Sequence, residues 1–198
     1  EVADHPDGEF HFFHGREAAE LFGYAPQWLD QASPGAVASF AGVGNPHERS
    51  RLRPGETVLD LGSGAGLDAI VASQQVGPTG TVIGVDLNPA MCLKAQAHAA
   101  ATGAAMECRQ GRMEDIPLPD ASVDVVISNG VINLSFRKRR VVLAARYVQT
   151  ADSFALTLAA GPKLDLPGLC RALGGPRWRV GSFVSRVPVT GPLFLQTQ

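Results

Sequence analysis

The chain has 198 residues, 45% of them hydrophobic and 18% charged, with a formal net charge of −2. These values fit one globular domain with a sizeable core, and exclude a disordered tail, a fibre and a globally basic nucleic-acid binder. Cys92, Cys108 and Cys170 are an odd count without paired spacing, so neither a disulfide framework nor a closed zinc site is expected, and a reducing cytoplasm is the simplest home. Glu1 to Phe10 lack the basic-then-apolar pattern of a secretory signal. No uninterrupted apolar stretch is long enough to span a bilayer, so no membrane partner is expected.

From Arg16 to Phe40 the apolar spacing predicts short helices, interrupted at Gly23, Pro26 and the Ser33-Pro34-Gly35 turn. Residues 1–50 read as a helical cover belonging to the same domain as 51–198. A loop at Gly42-Val43-Gly44-Asn45-Pro46 precedes a compact apolar strand, Thr57 to Leu61. A glycine-rich turn follows, and Leu67, Ile70 and Val71 mark a helix. A second strand is expected over Thr81 to Asp86, then an alanine-rich helix opened by Asn88-Pro89.

Further strands are expected at Ala105 to Arg109 and Val123 to Ser128, a helix at Lys138 to Val148, and a strand at Phe154 to Leu158. The basic run Arg137-Lys138-Arg139-Arg140 reads as the solvated start of that helix rather than a nucleic-acid patch. Arg177 to Val187 and Leu193 to Gln196 read as two strands close enough to pair antiparallel. Strands alternating with helices predict a covered parallel sheet.

The segment Val58-Leu59-Asp60-Leu61-Gly62-Ser63-Gly64-Ala65-Gly66 places glycines at alternate positions directly after a strand. Backbone can approach a ligand closely there. The dinucleotide fingerprint needs glycine or alanine where Leu67 stands, which argues against a nicotinamide cofactor. Asp60 beside the loop suits an ammonium group better than a pyrophosphate. Asp86, ending the second strand, can accept both hydroxyls of a ribose. A nucleoside carrying an amino acid answers both requirements.

On these residues the chain resembles class I S-adenosylmethionine-dependent methyltransferases, through VLDLGSGAG at 58–66 and VIGVD at 82–86. FAGVGNP at 40–46, GRMEDIPLPDASVDVVISNGVINLS at 111–135 and PVTGPLFL at 188–195 are similar to the arsenite methyltransferase-like branch. The resemblance implies an α/β fold with a Rossmann-like seven-stranded sheet, its last strand antiparallel, under the N-terminal helical cover. It implies S-adenosyl-L-methionine as cofactor, with S-adenosyl-L-homocysteine as product, and transfer of a methyl group to a small-molecule acceptor. Asp60, Gly62, Ser63, Gly64 and Gly66 would then surround the methionine part, and Asp86 and Leu87 the ribose and adenine. Met113 and Glu114 would hold the adenine edge, and Asn129 and Val131 the methionyl end facing the acceptor. Core packing for Met113, a solvated helix-start role for Glu114, and either packing or closure over the cofactor for Tyr24 are the competing readings.

Three departures qualify the branch. Where its arsenic-binding members carry cysteine, this chain has Val43 and Gly130, with Cys170 an ambiguous third match. A single thiol does not chelate As(III) as thiolate sets do. Thr150-Ala151-Asp152-Ser153 replaces a glycine pair before the fifth strand, and the acceptor-binding insertion after it is shortened. The reading is therefore a methyltransferase of unidentified acceptor, with arsenite methylation or a non-catalytic cofactor-binding module as alternatives. His11, His14 and His47 are the polar candidates for a general base, and none is assigned. No metal site is expected.

Overall fold

The computed structural model describes the backbone of residues 14–159, 178–182 and 192–197, and side chains within 14–149. Strands β1 (Thr57–Leu61), β2 (Thr81–Asp86), β3 (Met106–Gln110) and β4 (Val123–Asn129) alternate with helices α5 (Leu67–Val76), α6 (Pro89–Thr102) and α7 (Lys138–Val148). Ahead of them run α1 (Gly15–Leu21), α2 (Pro26–Gln31), α3 (Pro34–Ala38) and α4 (His47–Ser50). Asn88 caps α6 by accepting from the Ala90 amide at 2.9 Å, and Pro89 opens its first turn, as the dipeptide predicts.

The period of two in the strands sorts their side chains onto two faces. Leu59, Leu61, Val85 and Val126 pack with Val141, Val142, Ala145 and Val148 of α7. Val58, Val82, Val125 and Ile127 point the other way, onto Ala69, Ala72 and Val76 of α5. The far side of α5 is covered in turn, because Leu67, Ile70 and Val71 meet Tyr24, Leu29, Val37 and Phe40 of the N-terminal helices and the chain beside them. Strands buried on both faces favour parallel pairing under helical crossovers.

The sheet that these helices cover has four strands, all parallel, in the order β3-β2-β1-β4. This corrects the expectation of a seven-stranded packed sheet with an antiparallel last strand. Beyond β4, the segments β5 (Gln149–Ala159), β6 (Trp178–Ser182) and β7 (Pro192–Thr197) continue the hydrogen-bonded order as β5-β7-β6, β5 parallel to β4 and β7 antiparallel to both neighbours. Alternating apolar residues mark extended chain, but not the layer that must cover it.

Some boundaries also move. β3 starts one residue later than expected, and β5 begins at Gln149 and takes in Thr150 to Ser153, while Arg177 and residues 183–187 of the expected penultimate strand lie outside the described residues. The stretch read as a replaced glycine pair is thus strand. Among the described residues no helix is long and apolar enough to cross a membrane.

Leu59 lies in the central strand with no exposed surface, in the cluster under α7. Leu59→Ala is expected to cost about 2–5 kcal/mol, read as a lower urea midpoint at unchanged slope.

Candidate functional site

After β1 the chain turns from a buried strand into a buried helix within five residues, and does so through left-handed backbone at Gly62, Gly64 and Gly66 (φ +80°, +53° and +91°). The three glycines answer different needs. A side chain on Gly62 would run into Val131, and one on Gly66 would put its Cβ 2.9 Å from that of Ala95 on α6. A Cβ on Gly64 would meet nothing within 4 Å. Close packing fixes the outer two, and Gly64 alone faces open space.

The loop folds back over β2, whose Val85 carbonyl accepts from the amides of Gly62 at 2.8 Å and Ser63 at 3.1 Å. Asp86, half-buried at the end of β2, accepts from the Gly64 amide with Oδ2 at 2.8 Å and from the Asn88 amide with Oδ1 at 2.9 Å. Each oxygen keeps a further lone pair.

Against the loop lies a cavity of about 170 Å³, lined by Phe40, Ser63, Gly64, Asp68, Met91 and Asn129 among others. No Lys or Arg lines it among the described residues. Asp60, only 2% exposed, sits beneath the loop with Oδ2 unpartnered, and the Ser63 Oγ at the cavity wall is unpartnered too. Burial pushes the Asp60 carboxyl well above its ordinary range, and nearby Asp68 pushes it further. A buried carboxylate without a donor costs on the order of 1–3 kcal/mol or more. That oxygen, beneath the loop, lacks a donor or a cation.

The opposite wall is a buried polar cluster centred on Asp68, in the first turn of α5. Its Oδ1 accepts from the Tyr24 hydroxyl and from His47 Nε2 at 3.1 Å, and its Oδ2 from Asn129 Nδ2 at 3.1 Å. Gln75 Nε2 lies 3.0 Å from His47 Nδ1, on the ring edge away from Asp68. Asn129 also donates to the Gly44 carbonyl at 2.8 Å and accepts from the Val43 amide at 2.9 Å. Burial, then the Asp68 charge, raises the Tyr24 phenol well above its usual value, so it stays a donor.

Ser63, Gly64 and Asn129 thus line one cavity with Gly62, while Asp60 lies outside its lining, beneath the loop. Val131 packs on Gly62 and the α7 cluster, and Leu87 is exposed. Met113 packs against the same core, while the Glu114 carboxylate accepts from the Ser135 hydroxyl at 2.6 Å, which holds it below its usual range. Neither lines the cavity. His47 is wholly buried, His14 half-buried, and His11 and Cys170 lie outside the described residues. Cys92 and Cys108 are buried between α6 and β3. A Cβ on Gly130 would stand 3.4 Å from Val43 Cγ1, so the two positions matched to cysteine face each other as hydrocarbon and hydrogen.

Sequence reasoning passed over Asp68. Its signal is an acid inside Leu67-Asp68-Ala69-Ile70-Val71, a helix start otherwise buried and apolar.

Because its native pKa is raised, Asp60 keeps its proton in the folded chain at pH values where the unfolded chain has lost it, so its contribution to stability falls as pH rises above about 4. Asp60→Asn is therefore expected to match the parent at low pH and to be more stable by about 1–3 kcal/mol towards neutrality. Urea unfolding of the ligand-free chain across pH 3.5–8 reads this out, and a pH-independent difference would sink it.

Comparison with known proteins bears on the same segment. A family model described as methyltransferase domain matches residues 52–157. The arsenite methyltransferase of Halobacterium salinarum is 47% identical over 124 residues, 62% of this chain and 32% of that protein. That of Aquipseudomonas alcaligenes is 40% identical over 132 residues, 61% and 38% respectively. The chain thus spans about a third of the length of these relatives. Among solved structures, an arsenic(III) S-adenosylmethionine methyltransferase from Chlamydomonas reinhardtii superposes with a TM-score of 0.65 at 27% identity, covering 92% of this chain and 73% of that one. Since the match takes in more than half of the chain, from before β1 to within β5, the protein belongs to the methyltransferase domain family.

Proposed function

We propose that this chain binds S-adenosyl-L-methionine in the cavity beside Gly62–Gly66 and serves an S-adenosylmethionine-dependent methyltransferase acting on a small molecule. Residues 1–50 and 51–198 act as one domain in this reading, with the helices as cover. The observation that carries it is the buried Asp60 carboxyl, its Oδ2 unpartnered, beneath a glycine loop that walls a cavity with no Lys or Arg among the described lining residues. An ammonium group, directly or through a water, supplies what Asp60 lacks. The second lone pairs of Asp86 suit two ribose hydroxyls, and exposed Leu87 offers an apolar flank to a base.

The cofactor brings an electrophilic methyl group on a sulfonium; the protein's share is to hold donor and acceptor in line and keep water out. Ser63 and Gly64 supply the wall, and Asn129, fixed by its contacts to Gly44, Val43 and Asp68, supplies the side facing the acceptor. Val131 supports the loop by packing on Gly62. The side chains of Met113 and Glu114 are engaged elsewhere, so backbone is what they offer to an adenine edge.

His47 is buried and committed to Asp68, which removes it as a base for the acceptor. The apolar contact between Val43 and Gly130 supports an acceptor other than arsenite, since no thiol stands at either position. A cytoplasmic protein with neither nucleic acid nor membrane as partner completes the reading.

Calorimetric titration with S-adenosyl-L-homocysteine is the direct test. Micromolar binding, about −8 kcal/mol, is expected. Loss of the ribose contacts in Asp86→Ala is expected to weaken it about 10- to 100-fold, the scale of one or two charge-assisted hydrogen bonds. A folded chain that binds none, or an Asp86→Ala variant that binds as well as the parent, overturns the assignment.

A further inference from the structure

We propose that His98 is a positioning residue for the cofactor site: from α6 it holds the glycine loop by the carbonyl of Ala65, and position 35 of α3 is glycine to leave its ring that place. The proposal rests on the cofactor reading above and adds the means by which the N-terminal cover and the loop are kept in register across the cavity.

Helix α5 is capped by Gly66, whose carbonyl takes the first helical amide, that of Ile70, at 2.9 Å. Ala65 stands one residue ahead of that cap, outside the helical ladder and only 6% exposed, so its carbonyl needs a donor from elsewhere. His98 Nδ1 lies 2.9 Å from it. A carbonyl only accepts, so Nδ1 carries the hydrogen whatever the state of the other ring nitrogen. Three residues earlier, on the same face of α6, Ala95 packs beneath Gly66, where an added Cβ would come within 2.9 Å of its own. The loop is thus seated on α6 at two successive residues, by packing at Gly66 and by a hydrogen bond at Ala65.

The other edge of the same ring faces the cover. A Cβ on Gly35 would stand 2.6 Å from His98 Nε2 and 3.3 Å from Cε1. Gly35 lies within α3 and has no positive φ, so its backbone does not require glycine, and alanine is otherwise the better helix residue. The ring is what requires it. Held at Nδ1, the imidazole can yield to a side chain at position 35 only by letting go of Ala65.

The two ends of this contact lie in opposite walls of the cavity. Ala65 and Gly64 line it on the loop side, and Ala36, next to Gly35, lines it on the cover side, while His98 stands behind the lining. One side chain therefore spans from wall to wall, and a displacement of either wall is passed to the other.

The measurement is the dissociation constant of S-adenosyl-L-homocysteine by calorimetry, for variants shown to be folded by thermal unfolding and near-ultraviolet dichroism. His98→Ala is expected to weaken binding about 5- to 10-fold, the scale of one hydrogen bond. Asn places an amide donor near the Nδ1 position and nothing at Nε2, so His98→Asn is expected to stay within about 2-fold of the parent. Gly35→Ala is expected to weaken binding about 5- to 10-fold in the parent and by less than about 2-fold in the His98→Asn background, because the clash acts through the ring.

A histidine that merely stabilised the fold would give a His98→Ala variant with a lower unfolding midpoint and the parent's affinity, and that result overturns the proposal. So does a His98→Asn variant as weak as His98→Ala, or a Gly35→Ala substitution with the same effect in both backgrounds. Should His98→Ala not fold, the Gly35→Ala comparison decides alone. These overturning results leave the cofactor assignment standing, whereas a folded parent that binds no S-adenosyl-L-homocysteine overturns both.

Discussion

Helix α5 is enclosed on nearly every side, with eight of its ten residues buried, between the sheet and the N-terminal helices. The rest of the molecule follows from that enclosure. A helix that must pack on both flanks needs small and branched apolar residues all round, which Leu67, Ala69, Ile70, Val71 and Ala72 supply. It must also begin abruptly at the end of a buried strand, which is why the connection runs through left-handed glycines at Gly62, Gly64 and Gly66. The same enclosure forces Asp68 to be buried, and a buried carboxylate gathers donors from every element in reach. Tyr24 and His47 of the N-terminal half and Asn129 at the end of β4 are those donors.

Charge at the site is therefore set by architecture rather than by surface composition. A chain with a net charge of −2 has no marked global field, yet Asp60 and Asp68 sit together with no basic side chain in the wall between them. Asp86 is handled differently, with two backbone amides on its oxygens. It stays at a half-buried strand end, where water or a hydroxyl can take the remaining lone pairs. Three acids around the glycine loop thus have three different surroundings, decided by how much water and how many donors each retains.

Much of this was legible in the residues. Strands of branched apolar residues, the Asn88-Pro89 helix start and the alternate glycines all act over a few neighbouring positions, and local sequence encodes such features well. The parallel core and the loop with Asp60 and Asp86 were read on that basis. Features that depend on what arrives from elsewhere in the chain were not. That Gly62 yields to Val131 and Gly66 to Ala95 depends on segments dozens of positions away, as does the pairing of His47 with Asp68. His47, a polar candidate for a base in the sequence, is interior because α4 lies under Tyr24 and Trp28, whose rings meet its imidazole edge-on. The count of packed strands failed for the same reason, since a strand's own alternation says nothing about which layer covers it.

The N-terminal helices are attached to the remainder by two very different kinds of bond. Their apolar side chains rest on α5 over a broad area, but their hydrogen bonds are few, gathered on Asp68 and Asn129 by way of Tyr24 and the carbonyl of Gly44, with the Trp28 carbonyl on Gln74 and His47 on Gln75 beside them. An element fastened at so few polar points tends to detach as a unit, with one opening free energy shared by all of its amides. Whatever fills the cavity beneath it stabilises only the closed arrangement and adds its binding energy to that opening cost. Amide exchange in α1 to α3 consequently becomes a gauge of occupancy in a pocket that those helices touch mainly through Ala36, Ser39 and Phe40.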